Sequence, residues 1–176
     1  NYSYGALQQL LRYGLRFVPV ADAAAPVLLL GLGGGSVLPL LREQGRTGPV
    51  TAIELDPAVL QVAAEEFGVT PGPDLALVCA DAFVWLPTAP ANHFVLVVVD
   101  LFLDLALPAE LGQAAFWPQL RRVLQPGGWA LCNLLITADL RPGGHLLPEF
   151  LVTLGFTVKD LEVGPLNRLL ILQRLP

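Results

Sequence analysis

Six consecutive apolar residues, Phe94-Val-Leu-Val-Val-Val99, run straight into an aspartate, Asp100. A run with so many β-branched residues and no polar alternation has no solvent face, so it predicts a strand covered on both sides, a central strand of a parallel sheet. Parallel neighbours must be joined by long crossovers, usually helical, and the chain supplies them. Val27–Leu30 is another short apolar run, followed by Gly31-Leu-Gly-Gly-Gly35-Ser36 and a helix-length segment over 37–42. Val50–Glu54 predicts the next strand, and Asp56-Pro57 then starts a helix, with Asp as N-cap and Pro at the first helical position, that runs to Phe67 before Gly68. Leu75–Cys79 predicts a further strand, and Asp81 opens a short helix to about Leu86.

Beyond Asp100 the pattern predicts a helix over 110–124, a turn at Pro126-Gly127-Gly128 and a strand over 129–134. A helix over 145–154 follows, then strands over 155–162 and 168–173 joined by Gly164-Pro-Leu-Asn167. So tight a connection makes the last two strands an antiparallel hairpin. Residues 3–17 form an approximate helical face that Pro19 ends. The 176 residues are about one domain's worth: an N-terminal helix and linker over 1–25 and a core over 26–176. The expected fold is α/β, a doubly wound, seven-stranded, Rossmann-like sheet, mostly parallel with a C-terminal antiparallel hairpin, whose ligands lie at the carboxyl ends of the strands.

Composition narrows the function. Hydrophobic residues make up 54% and charged residues 14%, with mean hydropathy +0.60, which excludes a disordered chain. Asp100 and Asp104 interrupt the longest apolar stretch, well short of the roughly 18 to 20 residues of a membrane span. The net charge is -5, and nine arginines and Lys159 are scattered rather than grouped, which argues against nucleic acid. Cys79 and Cys132 sit in apolar runs and are expected to be small buried hydrophobes. His93 and His145 stand apart from each other and from any Cys or acid at ligand spacing, so no metal site is expected. The N-terminus shows no targeting signal, and a cytoplasmic location is the expectation. With no methionine in the chain, a processed start or a preceding segment is expected. The surplus of apolar residues predicts a homodimer interface or a missing neighbouring segment.

Four glycines in five residues between a strand and a helix allow a tight turn and close backbone approach to a ligand. Glu54 ends the second strand 19 residues after Gly35, the spacing at which an acid reaches the hydroxyls of a ribose held over such a turn; a solvated strand-end acid is the alternative. Asp81 reads equally as a partner for an adenine amino group and as a helix N-cap. Asp100, delivered by six apolar residues to the rim of a buried sheet, is expensive to place without a purpose. Asp104, four residues on, shares its face or its cleft.

The series Val27-Leu-Leu-Leu-Gly-Leu-Gly-Gly-Gly-Ser, Ala52-Ile-Glu-Leu-Asp-Pro, Ala80-Asp-Ala, Val98-Val-Asp and Leu124-Gln-Pro-Gly-Gly128 resembles the class I S-adenosylmethionine-dependent transferases, and within them the spermidine synthase-like branch, over about residues 26 to 134. The resemblance implies that Gly31, Gly33 and Gly35 back the amino-acid end of the cofactor. It places Glu54 at the ribose with Leu55 beside it, Asp81 and Ala82 at the adenine, and Asp100 at the reacting centre. It also makes Tyr4 and Asp104 substrate-site residues. Polyamine-forming members usually carry Asp where this chain has Gly34, and D-x-S/T-D-P where it has Asp100-Leu-Phe-Leu-Asp104-Leu.

The expected activity is therefore methyl transfer from S-adenosylmethionine, without a metal, to a small-molecule or protein amine. Aminopropyl transfer from decarboxylated S-adenosylmethionine, with Asp100 and Asp104 as proton acceptors, is the alternative. A non-catalytic nucleoside-binding or dimerisation module and a NAD-dependent oxidoreductase complete the readings left open.

Overall fold

The structure is a computed structural model that describes residues 2–103 and 105–176, the side chains of 2–8 excepted. Seven strands form one sheet: β1 (Val27–Leu30), β2 (Val50–Glu54), β3 (Leu75–Cys79), β4 (Phe94–Val99), β5 (Leu124–Leu135), β6 (Phe156–Val163) and β7 (Asn167–Arg174), in the order β3-β2-β1-β4-β5-β7-β6. The pairings from β3 through β5 are parallel, and β7 is antiparallel to both β5 and β6. The doubly wound sheet with a closing hairpin is thus as expected.

Helices α1 (Tyr2–Leu15), α2 (Val37–Glu43), α3 (Pro57–Phe67), α4 (Ala82–Trp85), α5 (Phe116–Val123) and α6 (Leu147–Thr153) cover both faces. Strand β4 shows why its run has no polar position. Leu96 and Val98 join the core under α1, α2 and α3 with Leu11, Leu41 and Ala63, whereas Val97 and Val99 join the core under α4, α5 and α6 with Ala82, Trp117 and Leu151. Each face takes alternate residues of the strand. Local chemistry starts the helices where the sequence predicts: Asp56 accepts from the Ala58 amide at 2.8 Å, and Gly68 ends α3 in the left-handed conformation.

Three expectations are corrected. The helix expected over 110–124 is a 3-10 turn (Ala109–Gly112), an extended Gln113 and the shorter α5. Here tertiary bonding overrides helical continuity, because the Trp117 indole nitrogen donates to the Leu111 carbonyl at 3.1 Å. The expected turn at 126–128 lies inside β5: its pairing with β4 jumps from Phe94↔Leu124 to Leu96↔Trp129, and the intervening residues bulge at Gly127, which has φ +76°. Cys132 is buried as expected, but Cys79 is exposed, at the last position of β3, which is an edge strand. No helix among the described residues is long and apolar enough to cross a membrane.

Candidate functional site

Register brings the predicted acids level. Leu30 pairs with both Ile53 and Val99, and Glu54 pairs with Cys79, so the residues that leave β1, β2, β3 and β4 at their carboxyl ends form one rim. Because β1 lies between β2 and β4, this rim is the point where strand order reverses. A cleft opens there, lined among others by Gly31, Glu54, Leu55, Asp81, Ala82 and Asp100. Six of the predicted site residues therefore converge. Gly33 and Gly35 do not line the cleft. Gly33 borders a separate apolar groove against α3, and Gly35 packs against Val69. Asp104 and the side chain of Tyr4 lie outside the described residues; the backbone of Tyr4 is in α1.

Gly31 shows why the turn begins with glycine. Its φ is +88°, and a Cβ built there would stand 2.2 Å from the Asp100 carbonyl oxygen, so no other residue fits where the chain leaves β1 beside the end of β4. Glu54 fastens the next two residues: one carboxylate oxygen accepts from the amides of Leu32 (3.0 Å) and Gly33 (3.2 Å), and the other accepts from the Asp56 amide (3.1 Å). Its carboxylate shapes the glycine turn and faces the cleft at once. Asp81 also does both things that its position allowed, capping α4 through the Phe83 amide at 2.8 Å while lining the cleft.

Asp100 ends β4 with its amide bonded to the Leu30 carbonyl at 2.8 Å. Burial pushes its carboxyl above the ordinary carboxylate range, the negative charge of Glu54 adds to that rise, and a hydrogen bond from Asn133 opposes it. The Asn133 amide nitrogen donates to Asp100 at 2.8 Å, and the Asn133 oxygen accepts from the Asn167 amide at 2.9 Å. Neither asparagine stands out in the sequence, because no local motif marks a residue 33 positions from its partner. An asparagine inside the otherwise apolar 130–134 stretch is the one available signal.

The far wall of the cleft is Leu101, Phe102, Leu103, Pro108 and Glu110, of which only the first three were near a predicted site. Among the described residues, the charged ones lining the cleft are Glu54, Asp81, Asp100 and Glu110, all acidic. Such a site favours a ligand with positive charge, apolar surface and hydroxyl or amine donors. Among the described residues no three His, Cys, Asp or Glu side chains gather as a metal site requires.

Residues 27–128 match the family model described as a methyltransferase domain. The chain belongs to this family. It is a class I methyltransferase-superfamily domain with spermidine synthase-like relatives. It is 27% identical over 120 residues to a probable polyamine aminopropyl transferase of Bifidobacterium longum, covering 68% of this chain and 26% of that one. Against a polyamine aminopropyltransferase of Vibrio vulnificus it is 28% identical over 129 residues, covering 72% and 42% respectively. The methyltransferase-family domain thus spans less than half the length of these curated relatives. In fold it is similar to a probable spermidine synthase from Corynebacterium glutamicum (TM-score 0.77, 18% identity, 96% of this chain and 63% of that one). It is similar also to human methyltransferase-like protein 13 in complex with SAH (TM-score 0.73, 20% identity, 97% and 82%).

Proposed function

We propose that this domain is a transferase that binds S-adenosylmethionine in the cleft at the ends of β1–β4 and passes its methyl group to an acceptor at the Leu101–Leu103 wall. The fit rests on three features. The missing Cβ at Gly31 lets the Asp100 carbonyl close against the turn, which brings Asp100 to the rim of the cleft. Glu54 has its carboxylate at the glycine turn, where the acceptor site left beside its three backbone amides would take a ribose hydroxyl. Among the described residues the lining carries four carboxylates and no cation to repel a sulfonium. When bound, the cofactor supplies an electrophilic methyl carbon. Ala82, Leu55 and Phe83 offer apolar surface to the base, and Asp81 an acceptor for its amino group. Asp100 would face the positive end of the ligand. Methyl transfer from a sulfonium needs alignment more than a strong base.

The observation that carries methyl over aminopropyl transfer is the acceptor wall. Beyond Asp100 it presents Leu101, Phe102, Leu103 and Pro108, with Glu110 the one described acid, a poor match for an acceptor with two ammonium groups. A second reading, aminopropyl transfer from the decarboxylated cofactor, is favoured by the lack, among the described lining residues, of a basic side chain to receive a cofactor carboxylate and by the aminopropyltransferases among the relatives.

Parallel calorimetric titrations with S-adenosylmethionine, its decarboxylated form and methylthioadenosine separate the two. Methyl transfer requires tighter binding of the carboxylated donor. The reverse preference selects the second reading, and no saturable binding by any of the three overturns both.

A further inference from the structure

Asn133 is the only asparagine among the described residues with its side chain fully enclosed in the core; 2% of its surface is exposed. It stands on β5 one residue past Cys132, which pairs with Val99 of β4, so it is level with Asp100. Asn167 starts β7, two residues before the Leu169 that pairs with Asn133, and so lies diagonally across from it on the same face of the sheet. A buried amide needs partners for both ends, and a leucine at this place would need none. A polar residue here is therefore unexplained by packing alone.

We propose that Asn133 and Asn167 are positioning residues, a one-way chain of amides that runs from the β6–β7 hairpin to Asp100, holds its carboxylate toward the cleft and makes the hairpin part of the site. The direction follows from the ends. An ionised carboxylate only accepts, so Asn133 must turn its NH2 to Asp100 and its oxygen to Asn167, which must then donate. Each bond fixes the next. The remaining charges around Asp100 cannot replace the chain: Glu54, Asp81 and Glu110 in the cleft are all acidic. Arg168, beside Asn167, is held by both oxygens of Asp160 at 2.9 and 2.6 Å. Across the sheet Cys132 stays a neutral thiol, since burial pushes its ionisation well above the ordinary range. Asn133 is thus the described donor that favours the charged form of Asp100 against burial and Glu54. The chain exists whatever the ligand; only its benefit to a cationic ligand rests on the transfer reading above.

The test is a carboxyl titration of the ligand-free protein by carbon NMR with labelled aspartate, the Asp100 resonance being assigned by its loss in Asp100→Asn. Asn133→Leu is expected to move the Asp100 midpoint up by about one pH unit, a tenfold change in ionisation constant. Asn167→Ala, at a half-buried position that keeps the core intact, is expected to move it the same way by less, and Asn167→Gln to restore it. A folded Asn133→Leu or Asn167→Ala protein with an unmoved Asp100 midpoint overturns the proposal, whatever its loss of thermal stability. If Asn133→Leu does not fold, the two Asn167 variants decide. If the midpoints move as stated but no cofactor form binds, the transfer reading fails and the amide chain stands.

Discussion

The two halves of the cleft are built differently. On the β1–β3 side the groups that line the cleft sit within or beside short motifs: Gly31 opens its turn, Glu54 bonds to amides of that turn, and Asp81 caps the helix that it precedes. On the β4–β7 side the same kind of carboxylate depends on partners 33 and 34 residues apart in sequence, Asp100 to Asn133 and Asn133 to Asn167. The first half is held by backbone amides, the second by side chains in the core. A site held by backbone is robust to side-chain exchange except where no side chain fits. A site held by a buried amide chain is vulnerable at each link.

The sharpest way to break this contrast is at the seam between the halves. Gly31→Ala puts a methyl group against the Asp100 carbonyl at a φ of +88°. Overpacking plus a disfavoured backbone should cost about 3 kcal/mol or more, which for a chain of this size lowers the melting temperature by roughly 10 °C. Gly33→Ala, with open space around its Cβ and a φ of +52°, should lose only about 1 kcal/mol. Thermal unfolding of the pair checks both. Equal losses would mean that φ alone, and not the approach of β1 to β4, demands the glycine.

Asp100→Asn attacks the side-chain half. Since burial raises the folded-state carboxyl of Asp100 above its unfolded value, the folded chain binds more protons than the unfolded one between those two values. The stability that this group contributes is fully present below the ordinary carboxylate range and is lost as pH rises through the raised folded value. Asp100→Asn should therefore flatten that decline and leave the protein at neutral pH at least as stable as the parent. In calorimetry the same variant should bind the sulfonium cofactor about tenfold to hundredfold more weakly, the loss expected for a hydrogen bond or ion pair to a charged group. A variant that is less stable at pH 7 than at pH 4 by the parent's own margin would show that another group drives the pH dependence.

Glu54→Gln tests the backbone half and should do less. The amide keeps one oxygen for the Leu32 and Gly33 amides but turns its NH2 toward the Asp56 amide, which also donates. About 1 kcal/mol of stability and about tenfold in cofactor affinity are expected to go together, because one carboxylate serves both the turn and the ligand. Loss of affinity with no change in unfolding would separate these two roles.

The same division explains what the sequence disclosed. Strands β1 to β4, the start of α3 and the level rim of Gly31, Glu54, Asp81 and Asp100 were legible because each rests on contiguous residues: an apolar run, a glycine turn, an Asp-Pro start. Glu110, Asn133 and Asn167 were not, because the first enters the cleft through a 3-10 turn where helical periodicity predicts a regular helix, and the other two meet only across strands joined late in the chain. Exposure of Cys79 was hidden for a related reason, since an apolar strand does not reveal from its own residues that it lies at a sheet edge.

The acceptor wall supplies the smallest effect and the finest test of the comparison. Leu103 and Ala106 exchange backbone hydrogen bonds at 2.9 and 3.0 Å, which ties both ends of the segment that carries Leu105 together beside the cleft. Leu105 is 90% exposed and Leu103 52% exposed, and an apolar side chain left in solvent contributes little to folding. Leu105→Ser should then change unfolding free energy by less than about 0.5 kcal/mol and leave affinity for the cofactor, which the proposed site puts on the far side of Asp100, unaltered within error. A loss above about 1 kcal/mol would mean that Leu105 is packed in solution, by a second copy or by the loop folding over the cleft. Repeating the measurement at tenfold higher protein concentration separates these, because only association makes the loss concentration-dependent. With stability and cofactor binding both unmoved, any defect of Leu105→Ser in a turnover assay falls on the acceptor, as required if this leucine-rich turn meets the acceptor rather than the donor.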